Sequence, residues 1–185
     1  MISMLSAVLF VHVLSALALF VALALEATVL VRVRSSRNVA EARASVRAFQ
    51  RLRVVAIPAF LGVLSGGLYL ASRYGSGTIW IPLSLAATLL LMLVGGLITG
   101  RRMARLQRLL SSIDDAAPLD AVSSQIADTA LIWSYGFRLG LAVGIVFLMT
   151  TQPEWPLSLA ALSTASAAGV VFVAMTRDFR VRRMA

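Results

Sequence analysis

The chain has no cysteine and no lysine, and its 185 residues include one histidine and eight carboxylates. Without cysteine there is no disulfide framework, no zinc–thiolate site and no thiol nucleophile. With one histidine, bis-histidine haem ligation within the chain is ruled out. Only 14% of the residues are charged, while 59% are hydrophobic and the mean hydropathy is +0.89. A water-soluble domain averages about 25% charged and 45–50% apolar residues. There is too little polar surface here to coat a globule in water, so the excess apolar surface must face lipid.

What is present is long apolar sequence. A spanning helix needs about 20 mostly apolar residues. Residues 1–25, 54–72, 74–100 and 155–176, read with Arg73 as a boundary residue, meet that length; 129–153 meets it with one internal charge, Arg138. These runs are too long for barrel strands and lack their alternation. The first run also exceeds the roughly 7–15 apolar residues of a secretory signal and has no basic segment before it. It reads as a retained helix. The predicted fold is all-α, a single polytopic bundle of five transmembrane helices over 5–31, 54–73, 79–100, 129–150 and 156–176.

The net charge of +9 comes from 17 arginines, and their placement argues for a membrane and against nucleic acid. Seven lie in the segment 32–53, four in 101–128 and four in the tail 177–185; Arg73 alone falls on the other side. The positive-inside rule makes the three arginine-rich segments cytoplasmic. With five spans, the N-terminus is expected outside and the C-terminus inside, in a bacterial inner (cytoplasmic) membrane. Trp80 and Trp155 fall at the outer boundary and Trp133 near the inner one, where amphipathic rings prefer to sit.

The segments 35–53 and 101–113 have helical periodicity. Val39, Val46, Phe49 and Leu52 oppose Arg43, Arg47 and Arg51; Met103, Leu106, Leu110 and Ile113 oppose Arg101, Arg105 and Arg108. Such segments either continue spans two and three into water or lie on anionic lipids at the cytoplasmic face. Residues 114–128 form an acidic connector with Asp114, Asp115, Asp120 and Asp128, interrupted by Pro118; its carboxylates lack calcium-loop spacing.

Small residues four apart mark packing seams, because in lipid a helix gains its neighbour by close approach. Gly136, Gly140 and Gly144 form a double seam in span four. Gly62 with Gly66 and Gly96 with Gly100 repeat the spacing in spans two and three, and Ala161, Ala165 and Gly169 do so in span five. The seams serve packing within the chain or contact with a second copy or another membrane protein. Pro58 removes one backbone hydrogen bond inside span two.

Three polar residues stand out in the spans. Arg138, counted from the ends of span four, falls near mid-membrane, where an arginine costs about 2.5–3.5 kcal/mol. Its candidate partner is Glu26, the one carboxylate inside a span. His12 shares a face of span one with Ser15 and Glu26 and is a candidate ligand for haem or copper, with the thioethers of Met92 and Met149 as partners. No nucleophile with an orienting base is legible, so the chain reads as non-enzymatic and without a required cofactor.

His12-Val-Leu-Ser-Ala16 in an N-out first helix, the arginine-rich loop, Pro58, Leu64-Ser-Gly-Gly-Leu-Tyr-Leu-Ala71 and Trp80 together resemble a family of predicted bacterial integral membrane proteins. That family is similar to the copper-resistance protein D superfamily. The resemblance covers roughly residues 5–110. It implies a helical bundle, with copper or haem handled in some members through membrane histidines, of which His12 is the matching position. The functional expectation is a non-enzymatic accessory or transport-related membrane protein, with copper or haem handling through His12 as the alternative.

Overall fold

The computed structural model describes residues 3–74, 78–114 and 122–181, with side chains left undescribed at Tyr74 and 177–181. Asp115, Pro118 and Asp120 of the acidic connector, Arg182 and Arg183 of the tail, and Gly75 and Gly77 between spans two and three lie outside the described residues. Among the described residues the chain is helical throughout. The helices are α1 (Met4–Ser35), α2 (Val39–Tyr74), α3 (Trp80–Val94), α4 (Arg101–Ser111), the single turn α5 (Ser123–Ile126), α6 (Thr129–Thr151) and α7 (Trp155–Val181). A π-helical stretch, Gly95–Gly100, joins α3 to α4 without a break. Five helical units are long and apolar enough to cross a membrane: α1, α2, α3 with α4, α5 with α6, and α7. The protein is therefore a multi-pass membrane protein.

The position of the lipid belt follows from which large apolar side chains face outward. Among the described residues, every exposed one falls within 4–31, 54–68, 79–97, 133–147 or 155–175. Between those stretches, on one side, the exposed residues include Arg37, Arg47, Arg51, Arg101, Arg105 and Arg108. Apolar side chains facing out are stable only against lipid, so the belt ends near Val31, Val54, Leu97, Trp133 and Met175.

Beyond that edge α2 and α4 run on as helices, and their apolar faces meet. Val39, Ala42, Val46 and Phe49 pack with Met103, Leu106 and Leu110, with Val33 at the end of α1, and with Val122 and Ile126 from the α5 turn. Leu110, Val39 and Val46 are wholly buried. These faces therefore cover one another and do not lie on a leaflet. Here water surrounds the core and the hydrophobic effect drives its closure. Arg43 ties the two extensions: its Nη2 donates to the Leu110 carbonyl at 2.6 Å and the Ile113 carbonyl at 2.8 Å. Those carbonyls are left over at the C-terminus of α4, where a guanidinium is favoured. Gln50 also donates to Gln107.

Asp128 caps α6 by accepting from the Ala130 N–H at 2.9 Å and pairs with Arg102, so one acidic residue of the connector both starts α6 and fastens it to α4. At the other end Gln152, with φ 49°, closes α6 in the left-handed region, and Ser158 donates to the Pro153 carbonyl at 2.9 Å to begin α7. Pro58 is exposed inside a continuous α2.

Candidate functional site: a buried ion pair against a π-helical turn

Glu26 and Arg138 come from helices that are remote in sequence and meet inside the bundle. Arg138 Nη1 donates to Glu26 Oε2 at 2.9 Å, and Nη2 donates to Oε1. The geometry is the two-pronged fork that suits a guanidinium to a carboxylate. Both are buried, Glu26 at 8% and Arg138 at 4% exposure, so little solvent screens the pair.

Three further groups complete the site. Arg138 Nη2 donates to Thr99 Oγ1 at 3.1 Å, and Thr99 Oγ1 lies 3.0 Å from Ser134 Oγ. Because the Thr99 oxygen accepts from the arginine, its own proton is available to Ser134. The phenol of Tyr135 is buried within electrostatic reach of both charges. Arg138 Nε is buried with no hydrogen-bond partner among the described residues.

The π-helical stretch makes room for this cluster. Thr99 lies within it and is buried, while Gly95 opens it. A Cβ placed on Gly95 would come within 3.2 Å of Arg138 Nη1 and 3.4 Å of its Cδ. The missing side chain thus lets the guanidinium approach the start of the π-helical stretch. The wider π turn costs regular hydrogen bonding and is found where a helix must present a group off its ordinary register; here that group is Thr99.

The depth of the pair differs from the expectation. Arg138 stands five residues, about 7.5 Å of helix rise, past Trp133, where α6 first turns a large apolar side chain outward. The α1–α2 register agrees. Gly66 lies against His12 and Gly62 against Ser15; carried along both helices, that register sets Glu26 opposite the Arg51 turn of α2. Both counts set the pair near the arginine-side edge of the belt, away from mid-membrane. Counting from the start of α6 misplaces it, because the first turn of α6 lies beyond the belt.

His12 is buried at the outer part of α1 and belongs to a different neighbourhood. A carbonyl only accepts, so its Nδ1 donates to the Val63 oxygen at 3.0 Å. Its ring rests on Gly66 and Gly67 of α2. That hydrogen bond leaves Nε2 as the nitrogen with a lone pair. His12 is about 21 Å of rise from Glu26, so the two do not share a cavity. Leu85 of α3 lies beside Gly67, and Met92 follows it by seven residues, about 10 Å; Met149 is half-buried on α6. Among the described residues no cluster of three or more His, Cys, Asp or Glu is placed to hold a metal ion.

The glycine seams have separate fates. Gly136, Gly140 and Gly144 pack on α7, against Gly169, Ala165 and Leu162. Gly62 and Gly66 pack on α1. Gly96 meets nothing within 4 Å of its Cβ position, and Gly100 meets only the Gly95 carbonyl at 3.4 Å. Among the described residues of this chain, Gly96 and Gly100 therefore meet no other helix: the π-helical stretch breaks the register that four-residue spacing assumes.

Sequence reasoning missed Thr99, Ser134, Tyr135 and Gly95. Ser134 had a usable signal, since it precedes Arg138 by four residues and shares its helix face. Thr99 had none, because a π turn moves it off the face that regular counting assigns. Comparison of the chain with protein-family models, with curated proteins and with solved structures gives no match.

Proposed function

We propose that this chain is a non-enzymatic protein of the bacterial inner membrane, N-terminus outside and C-terminus in the cytoplasm, acting as an accessory or transport-related subunit. The Glu26–Arg138 pair is its working centre. An ionisable pair kept inside a membrane bundle is costly and marks function by default. What supports the reading is that this pair joins the α1–α2 hairpin to α6 while leaning on the π-helical turn of α3. A change of hydrogen bonding at one place therefore bears on three helices. The orientation is supported by the arginine-rich ends of α1, α2 and α4, which all project from one edge of the apolar belt.

Two experiments test it. Reporter fusions in the Arg43 and Arg105 segments and at the C-terminus should all read cytoplasmic; segments reading on opposite sides would overturn the orientation. A deletion strain should lose growth under at least one metal, osmotic or pH stress. Wild type should restore growth, and Arg138→Gln at matched membrane abundance should not. Restoration by Arg138→Gln would remove the pair from the role.

The second reading, copper or haem handling through His12, is favoured by one observation. Metal-binding histidines usually donate their other ring N–H to a carbonyl or carboxylate, and His12 Nδ1 does so to Val63. Bound metal there would be held by Nε2 together with further ligands. A Soret band or stoichiometric copper in detergent-purified protein, lost in His12→Ala, is the outcome it requires.

A further inference from the structure

A lipid-facing groove runs along α6, walled by α3 on one side and α7 on the other. Its outer part, about 720 Å³, is lined by Leu83, Leu90, Leu141, Leu162 and Val171. Its inner part, about 610 Å³, is lined by Val94, Leu97, Ile98 and Thr129, and ends on Arg102. Trp133, Phe137 and Val170 line both, so the two parts are continuous. Each volume lies in the roughly 300–1,000 Å³ range of small-molecule sites.

From this groove the geometry points to a binding site for one anionic phospholipid of the arginine-side leaflet, an acyl chain in the groove and its phosphate at Arg102. The occupant is chosen by charge and by length. The α3 wall is apolar through Leu97 and Ile98 and turns cationic at Arg102, with Arg101 beside it and Arg105 one turn on, all three exposed. Arg102 gives Nη1 to Asp128, and its side chain keeps 44% of its exposure, so the guanidinium still faces outward. From Arg102 to Leu90 the helix rises about 18 Å, against about 15 Å for the hydrocarbon of one leaflet. A headgroup at Arg102 thus leaves a chain lying the full depth of the groove. A zwitterionic headgroup offers the same phosphate but adds a cation, which the exposed Arg101, Arg102 and Arg105 disfavour. The inner part reaches Ser134 at the margin of the buried cluster, but Glu26 and Arg138 do not line the groove, and neither reading depends on the other.

Trp133 is 52% exposed where the two parts join and reports occupancy. In a W80F/W155F background it is the only indole. Reconstituted in phosphatidylcholine vesicles, its fluorescence should be quenched by brominated phosphatidylglycerol with about five-fold preference over brominated phosphatidylcholine, the gain of one arginine at an anionic surface. R102Q should remove the preference. D128N keeps an oxygen for the α6 cap but removes the competing carboxylate, and should raise it. R47Q, on α2 at the same side, should leave it unchanged. Equal quenching by the two lipids overturns the proposal, as does a preference that survives R102Q or falls equally in R47Q. Native mass spectrometry of the unaltered chain gives an independent reading: preferential retention of one phosphatidylglycerol supports the site, and equal retention of both lipids overturns it.

Discussion

The α6–α7 and α1–α2 seams both rest on glycines four residues apart, yet what fills the vacated space differs. Along α6–α7 it is backbone: a Cβ on Gly136 would stand 2.8 Å from the Gly169 carbonyl oxygen, and one on Gly140 would overlap the Ala165 carbonyl. Gly169 answers from α7 by lying against Gly136 and Gly140. Along α1–α2 it is side chain: Gly66 admits His12, and Gly62 admits Ser15. A main chain cannot step aside, whereas a side chain can turn. Four-residue spacing reports room for an approach, then, and says nothing of what approaches. The first seam is a rigid joint; the second is a socket for polar groups that lipid would not accept alone.

The largest effects should come from cutting the clamp that joins these two seams. Arg138→Gln or Glu26→Leu leaves one buried charge without its partner, a loss of about 3–5 kcal/mol. The measure is unfolding of the purified protein in mixed micelles, with membrane abundance as a second readout. Glu26→Arg and Arg138→Glu, each damaging alone, should recover abundance together. Failure of that rescue would count against a direct pair.

Next comes the rigid joint. Gly140→Ala should cost about 2–3 kcal/mol in the same assay, at the upper end for an added methyl, because only a shift of α7 relieves it. No second substitution on α7 should rescue it, since the opposing atom belongs to the main chain. The socket should behave otherwise. On Gly66 a Cβ would lie 2.9 Å from His12 Cβ and 3.2 Å from Nδ1. Gly66→Ala should cost about 1 kcal/mol, and His12→Ala in the same chain, which removes the ring but keeps the Cβ at 2.9 Å, should return only part of it. A Gly66→Ala loss that is undiminished without the imidazole would erase the distinction between the seams.

Much of this architecture was legible because lipid imposes it. Apolar runs of spanning length and arginines segregated to alternate connections follow from the bilayer alone, and so did the helical extensions of spans two and three. Glu26 and Arg138 could be matched because each was the only carboxylate or arginine well inside a span. What stayed hidden depends on rotation and register. Val39, Val46, Met103 and Leu110 read as amphipathic faces, but their periodicity is the same whether they meet lipid or each other. Thr99 gave no signal, since regular counting does not anticipate a π turn. The depth of Arg138 was misjudged for a related reason: sequence shows where a helix begins, and the belt begins a turn later.

The smallest predicted effect is the most discriminating for the comparison. Gly96 and Gly100 carry the spacing found in both seams, yet among the described residues nothing beyond its own stretch of helix lies within 4 Å of a Cβ at Gly96, which is exposed. With nothing to displace, Gly96→Ala adds only the ordinary helical advantage of alanine, about 0.5–1 kcal/mol in favour of the folded state. The gain should appear as a small rise in unfolding midpoint, with the Arg138-dependent loss unchanged in the double variant, because the methyl points away from the Gly95 face that receives the guanidinium. A destabilised Gly96→Ala would mean that another helix, from this chain or a second copy, does approach α3 there. The π-helical stretch would then be a contact surface as well as the shelf for Thr99. A stabilised one would leave three pairs of equally spaced glycines with three different uses: a backbone joint, a polar socket and a loosened turn beside a buried charge.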